Sequence, residues 1–295
     1  MNKYVVIDVG GSSIKHCLMN NEGIILEKGN IKTKGEDINL FIESIGEIVD
    51  FYKEKNEIKG LACSFPGAVN VKTGVIGGGS AVPCIHGPNI KELLERRCNL
   101  KVSLENDANC AGLAEGWIGV AKGISNYACI VVGTGIGGCI VVNNTILRGK
   151  HLHGGEFGYM FTRDSIKNTD NTWSTIASTN ALVNRVSKVK NICKEKLNGE
   201  MVFKMANEGD EEIIKEIDNW YMDLARGIFN IQYIIDPEKI VIGGAISKRE
   251  DFTDKINEKL KLLKDNCATL DISVEKCKFN NDSNLIGALY NFLYV

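Results

Sequence analysis

Proline is scarce in this chain, four among 295 residues, and no low-complexity stretch interrupts it. No apolar run approaches the roughly 20 residues that a membrane-spanning helix needs, which argues against a membrane partner. Neither sign of charge is in excess. Lys and Arg total 35, Asp and Glu total 37, and the formal net charge is -2. A general nucleic-acid surface needs a basic surplus to neutralise phosphates, so no nucleic-acid partner is expected. The ten cysteines are scattered and none forms a CxxC pair. Several lie inside apolar strand-like runs, such as Tyr127-Ala128-Cys129-Ile130-Val131. They read as small core hydrophobes in a reducing cytoplasm rather than as disulfides or metal ligands. A strand candidate already at Tyr4-Val5-Val6-Ile7 gives the expectation of no signal peptide and no added N-terminal module. The length suits two domains, or one large one, with ample apolar content for real cores.

What is present is an internal repeat. Residues 4–21 read YVVIDVGGSSIKHCLMNN and residues 127–144 read YACIVVGTGIGGCIVVNN, at a constant offset of 123. Each copy is an apolar strand, a glycine-rich turn, a second apolar strand and a polar turn, which predicts two β-hairpins. Short strand candidates follow at Ile24-Ile25-Leu26 and Ile146-Leu147. Helical spacing of apolar residues predicts helices over 39–55, 107–118, 180–196, 211–235, 251–265 and 284–294, with Asn89 as the N-cap of another. Ile58–Cys63, Val102–Leu104 and Lys239–Ile242 read as further strands. Together these give two α/β halves, each opening with a hairpin, and a boundary near 115–125.

Gly133-Thr134-Gly135-Ile136-Gly137-Gly138 matches the GxGxxG dinucleotide pattern, which requires a helix after the turn. Here Cys139-Ile140-Val141-Val142 reads as a strand, so the Rossmann reading fails. A glycine-rich hairpin turn still suits phosphate, because the backbone comes close and its N–H groups form an anion concavity. For one such turn a plain tight bend is the simpler account. Two homologous turns favour a clamp on a polyphosphate, with Ser12 and Thr134 as added hydroxyl donors. Asp8 precedes the first turn where the second copy has Val131. A carboxylate beside phosphate needs a cation, so Asp8 reads as a Mg²⁺ partner through water. A turn-stabilising aspartate is the alternative.

Glu105-Asn106-Asp107-Ala108-Asn109 follows a strand and begins a helix, where open α/β sheets bind ligands. Asp107 is either a plain N-cap or the base that aligns and deprotonates an attacking hydroxyl, with Asn106 bonding another hydroxyl. His153-Gly154-Gly155-Glu156-Phe157-Gly158-Tyr159 forms a glycine-rich loop in which Glu156 suits vicinal hydroxyls. His151 and His153 have HxH spacing, but with no cysteine or acidic cluster close by in sequence they read as loop histidines.

Asp8-Val9-Gly10-Gly11-Ser12, Glu105-Asn106-Asp107-Ala108-Asn109, Gly133-Thr134-Gly135-Ile136-Gly137-Gly138, Gly155-Glu156-Phe157-Gly158 and Ile242-Gly243-Gly244-Ala245 together resemble the ROK family of sugar kinases and related repressors. They stand in family order across nearly the whole chain. The resemblance implies an α/β, actin-like ATPase (ribonuclease H-like) fold of two domains with MgATP in the interdomain cleft. Residues 1–118 would form the N-terminal, sugar and phosphate domain, with helix 284–295 packing back on it. Residues 119–283 would form the C-terminal, nucleotide and dimerisation domain. It implies phosphorylation of a hexose, usually at the 6-hydroxyl, with Asp107 as catalytic base. Gly67, in the Ser64-Phe65-Pro66-Gly67 loop, then matches a sugar-binding position, as do Asn106, Glu156 and Tyr159. Asp8, Gly10, Gly11, Ser12, Lys15, Gly133, Thr134, Gly135, Gly137, Gly243 and Gly244 match the nucleotide side. A homodimer is expected.

Two departures from the family pattern stand out. Tyr159 occupies the position of the family's GExGH histidine, and residues 160–180 contain no Cys or His, so no structural zinc is expected. Ser174 stands where a second sugar-contacting Glu is usual. This zinc-less pattern is similar to the β-glucoside kinases of the family, and some N-acetylmannosamine kinases share it. Glucokinase activity is a further alternative within the family. The family's repressors carry an N-terminal helix-turn-helix for which Asp8 leaves no room, and a non-catalytic sugar-responsive regulator is the remaining alternative class.

Overall fold

A computed structural model describes residues 1–162, 171–267 and 269–295. Its contacts divide the chain into two units. The first comprises Met1–Lys122, Arg148–Gly154 and Asp282–Val295; the second comprises Gly123–Leu147 and Gly155–Asn281.

The first unit opens with β1 (Lys3–Val9), β2 (Ser13–Asn20) and β3 (Ile25–Lys32), an antiparallel meander. The third strand is longer than the Ile24–Leu26 segment expected, because its polar residues alternate outward and hide the run. Helix α1 (Ile38–Lys53) starts where the Asp37 carboxylate accepts the N–H groups of Asn39 and Leu40. Then follow β4 (Ile58–Phe65), the short pair β5 (Ala68–Val69) and β6 (Ile76–Gly77), α2 (Ile90–Cys98) capped by Asn89, β7 (Val102–Asn106) and α3 (Asp107–Ile118). The sheet order is β3-β2-β1-β4-β7, with β1, β4 and β7 parallel. Six successive residues of β1 are buried, as a strand covered on both faces requires. The C-terminal helix, Ser283–Tyr294, lies against α3 and the parallel strands. Gly287 makes this contact possible, since a Cβ there would come within 1.7 Å of the Cys110 carbonyl oxygen.

The second unit has β8 (Tyr127–Val132), β9 (Ile136–Val142), β10 (Thr145–Ile146), α4 (Trp173–Ala177), α5 (Thr179–Lys190), α6 (Gly199–Asn207), α7 (Glu211–Ile235), β11 (Lys239–Gly243), α8 (Phe252–Cys267) and β12 (Val274–Lys276). Its sheet order, β10-β9-β8-β11-β12, repeats that of the first unit strand for strand. Helix α5 is shorter than the 180–196 segment expected. It stops at Asn191, whose left-handed φ of 51° terminates the helix. The core centres on Trp173 and Trp220, both fully buried, whose indole N–H groups donate to the carbonyls of Asp223 and Ser178.

The two hairpins differ in register. Val9 faces Ile14 across the first turn, whereas Val132 faces Ile136 across the second. The second turn is therefore one residue tighter, and the returning strands are out of phase. A one-residue shift moves every side chain to the other face, so the sequence offset of 123 does not carry through the turns.

Candidate active site

In the first unit, the carboxyl ends of the parallel strands β1, β4 and β7 carry the polar residues singled out above. Asp8 is nearly buried, at 6% exposure. Ser64 Oγ donates to its Oδ1 at 2.8 Å, Asn284 Nδ2 donates to the same oxygen at 3.1 Å, and Lys15 Nζ lies 3.5 Å from Oδ2. Lys15 reaches it from the returning strand, directly opposite Asp8 in the register. Next to Ser64, Asn106 Nδ2 donates to the carbonyl of Gly67 at 3.0 Å, joining the Pro66-Gly67 loop to the start of α3.

The cap of α3 separates the two readings of Asp107. Asn106, not Asp107, is the N-cap: its Oδ1 accepts the N–H of Asn109 at 3.1 Å. Asp107 is the first helical residue, half-buried, and its Oδ1 accepts the N–H of Ala108 at 2.8 Å. Capping is thus carried by its neighbour.

Glu105 has a larger part than the sequence motif suggested. It is fully buried. Its Oε1 accepts the N–H of Asn106 at 2.8 Å and the Asn109 side-chain amide at 2.9 Å, and its Oε2 accepts from Arg148. This carboxylate fixes the strand-to-helix bend on which Asn106 and Asp107 stand. It also draws Arg148–Gly154 into the first unit, although that segment lies between strands of the second in sequence. His151 and His153 sit on it as exposed loop residues, and His153 Nδ1 bonds the His151 carbonyl.

In the second unit, the turn Gly133-Thr134-Gly135 follows β8, and Thr134 and Gly135 are exposed. A Cβ at Gly133 would meet no atom closer than 4.0 Å, so packing does not demand glycine there. Gly137 lies in β9, paired with Val131. Gly243, at the end of β11, also pairs with Val131. Gly244 has a φ of 103°, and a Cβ there would come 2.1 Å from the Val132 carbonyl oxygen. Only glycine lets β11 turn so close to the end of β8.

A cavity of about 590 Å³ opens beside these turns, lined by Thr179, Gly199, Phe203, Ala245, Ile246 and Arg249. The Arg249 guanidinium stacks 3.9 Å from the centre of the Phe203 ring. Thr179 also donates its N–H to the Gly133 carbonyl at 3.0 Å, which joins the cavity wall to the turn. Apolar side chains among three cations, Lys204, Lys248 and Arg249, with the glycine turn alongside, fit a nucleoside with its phosphates. Sequence reading missed the cavity because its residues come from α5, α6 and the turn after β11.

Glu156 lies partly buried at the head of a short 3₁₀ turn, Phe157–Tyr159. Phe157 is buried against Gly138, where a Cβ would clash with its ring at 2.5 Å. That anchor presents Glu156, and leaves Tyr159 72% exposed. In the first unit the structure thus gathers Asp8, Lys15, Gly67, Asn106 and Asp107 at one sheet end, with the Gly10-Gly11-Ser12 turn between Asp8 and Lys15. In the second it gathers Gly133, Thr134, Gly135, Gly243 and Gly244. Among the described residues no three His, Cys, Asp or Glu side chains form a group able to hold a metal ion. Of the stretch expected to lack a zinc motif, residues 163–170 lie outside the described residues.

The model of the ROK family matches residues 4–293. A β-glucoside kinase of Listeria monocytogenes is 32% identical over 99% of this chain and 97% of its own length. A ROK family protein from Streptococcus pneumoniae, solved in complex with sucrose, is 38% identical with a TM-score of 0.90, covering 99% of this chain and 98% of that one. A putative N-acetylmannosamine kinase from Listeria monocytogenes is 32% identical with a TM-score of 0.87 over the same shares. The architecture is the actin-like ATPase fold shared by ROK sugar kinases. With the family model spanning both units, and kinases among its relatives at this coverage, the chain belongs to the ROK family and is one of its sugar kinases.

Proposed function

We propose that this kinase transfers the γ-phosphoryl group of ATP to the 6-hydroxyl of a β-glucoside, with Asp107 as the base. The observation that carries the reading is the division of labour at the head of α3. Asn106 caps the helix and Glu105 braces the bend, so neither duty falls to Asp107, which stands as the first residue of α3 at the carboxyl end of β7. Asp107 accepts the hydroxyl proton as the oxygen bonds to the γ-phosphorus and the bond from that phosphorus to the β–γ bridging oxygen breaks. Phosphoryl transfer asks mainly for alignment and charge neutralisation, so one positioned base suffices. In the first unit, Asn106 and the Gly67 loop are assigned to the sugar's other hydroxyls and Gly10, Gly11 and Ser12 to phosphate. In the second, Glu156 is assigned to sugar hydroxyls, Gly133, Thr134 and Gly135 to phosphate, and Gly243 and Gly244 to the nucleoside side.

Mg²⁺ fits this residue set as an ion that keeps its water. Asp8 is a single carboxylate already holding three protein donors, which suits contact through water rather than direct ligation. When bound, the ion supplies neutralisation of phosphate charge. Asp8 would hold the ion through water, and Lys15 would hold Asp8.

The β-glucoside reading is supported by Tyr159, 72% exposed, in place of the family histidine. The Streptococcus pneumoniae relative was solved with sucrose, whose α-linked glucose supports a substituted C1, and the β configuration is supported by a curated relative named β-glucoside kinase. The test is an ADP-release screen over glucose, mannose, N-acetylmannosamine, fructose, cellobiose and salicin. Cellobiose or salicin should turn over at a rate comparable to glucose or faster. Turnover restricted to N-acetylmannosamine would favour the second reading, suggested by the Listeria structure, and sink this one. We also propose a cytoplasmic homodimer. All ten cysteines are free thiols, and burial pushes those of Cys63 and Cys110 well up, away from reactivity. Sedimentation velocity that gives a monomer at micromolar concentration would remove the dimer.

A further inference from the structure

Position 174 is where the family resemblance leads one to expect a sugar-contacting glutamate. Here the side chain is a serine, and its hydroxyl is already engaged. Ile136 N–H donates to Ser174 Oγ at 2.8 Å, on the residue that closes the Gly133-Thr134-Gly135 turn. Five residues on, the Thr179 N–H holds the Gly133 carbonyl at 3.0 Å. The turn is therefore pinned at both ends by one α4–α5 segment. The fit is close: a Cβ at Gly135 would lie 2.9 Å from Ser174 Oγ.

The segment that does the pinning is itself held firmly. Trp173 is fully buried, its indole N–H bonds the Asp223 carbonyl at 2.9 Å, and its backbone N–H bonds the Met160 carbonyl at 2.6 Å. Arg185 donates to the Ile176 carbonyl at 2.6 Å and pairs with the buried carboxylate of Asp223, which Arg226 meets at 3.0 Å. A hydroxyl on such a platform has little freedom to swing to another partner.

We infer that Ser174 is a positioning residue for nucleotide phosphates, acting through the Ile136 amide, and not a sugar contact. In this chain the position has moved from the acceptor side of the reaction to the donor side. The inference rests on the reading of the Gly133-Thr134-Gly135 turn as a phosphate site. A turn whose closing amide is fixed presents its free N–H groups in one arrangement. An unpinned turn must be ordered by the nucleotide at the expense of binding.

The test compares the full-length protein with Ser174→Ala, Ser174→Thr and Gly133→Ala. KM for ATP, KM for the sugar acceptor of highest turnover, and ligand-free hydrogen exchange at the Ile136 amide are measured. Losing one neutral hydrogen bond that orders the turn should raise KM for ATP about three- to tenfold. KM for the sugar should stay within about twofold, the Ile136 amide should exchange faster, and Ser174→Thr, which keeps the hydroxyl, should restore all three. A rise in KM for the sugar with KM for ATP unchanged would overturn the inference, as would a Thr variant no better than Ala. Gly133→Ala separates the two layers. It adds a methyl group into open space, so the fold should be kept while KM for ATP rises at least about tenfold. If it does not rise, the phosphate reading of the turn falls and takes this inference with it. If it rises while Ser174→Ala leaves KM for ATP unchanged, the turn stands and the role of Ser174 falls.

Discussion

Asp107→Asn should lower kcat by about a hundred- to ten-thousand-fold, the contribution typical of a positioned base, while the fold and nucleotide affinity stay close to wild type. The structure makes this a clean substitution. An asparagine keeps an oxygen to accept the Ala108 N–H, and the N-cap bond from Asn109 belongs to Asn106. What is removed is the negative charge and the ability to take a proton. A melting temperature within a few degrees of wild type, and unchanged binding of a non-hydrolysable ATP analogue, would locate the loss in the chemical step. Retention of a tenth or more of the wild-type turnover would show that another group takes the proton.

The largest effect on stability is expected at a residue that never meets the substrate. Glu105→Ala leaves the Arg148 guanidinium, the Asn106 N–H and the Asn109 amide without their shared acceptor, a carboxylate with no solvent exposure whose partner Arg148 is 19% exposed. Breaking a buried ion pair by removing one partner costs about 3–5 kcal/mol, against a few tenths for an exposed pair such as Lys28–Asp282. The apparent melting temperature should fall by about 10 °C, and kcat should fall with it, because Asp107 stands on the same bend. The conservative Glu105→Gln keeps one acceptor oxygen and should recover part of both losses. A Glu105→Ala protein as stable as wild type would show that this carboxylate does not brace the head of α3. Chemical denaturation with fluorescence detection is the measurement.

Much of this arrangement was legible in the chain before any coordinates. The hairpins showed because glycine-rich turns between alternating apolar runs admit few other structures. Asp107 stood out as a candidate because it lies where a strand gives way to a helix, but a plain N-cap explained it as well until the structure gave the cap to Asn106. What stayed hidden depends on distant partners. Glu105 stood in view inside the motif, but its role needs Arg148, 43 residues on, to complete the ion pair. Asn284 lies 276 residues from the Asp8 carboxylate it donates to, with no local pattern to announce it. The repeat itself misled in one respect. Constant spacing in sequence suggested equivalent turns, yet the tighter second turn changes which residues face each other. Helix α5 was overextended because apolar spacing continues past Asn191, and a single left-handed residue is a weak signal among many asparagines.

The most direct measurement is a crystal structure of the protein with cellobiose and a non-hydrolysable ATP analogue. The C6 hydroxyl oxygen of the non-reducing glucose should lie within about 3 Å of an Asp107 carboxylate oxygen, the reach of a proton in flight. A bound sugar whose C6 hydroxyl is hydrogen-bonded elsewhere, with Asp107 facing only solvent, would contradict it.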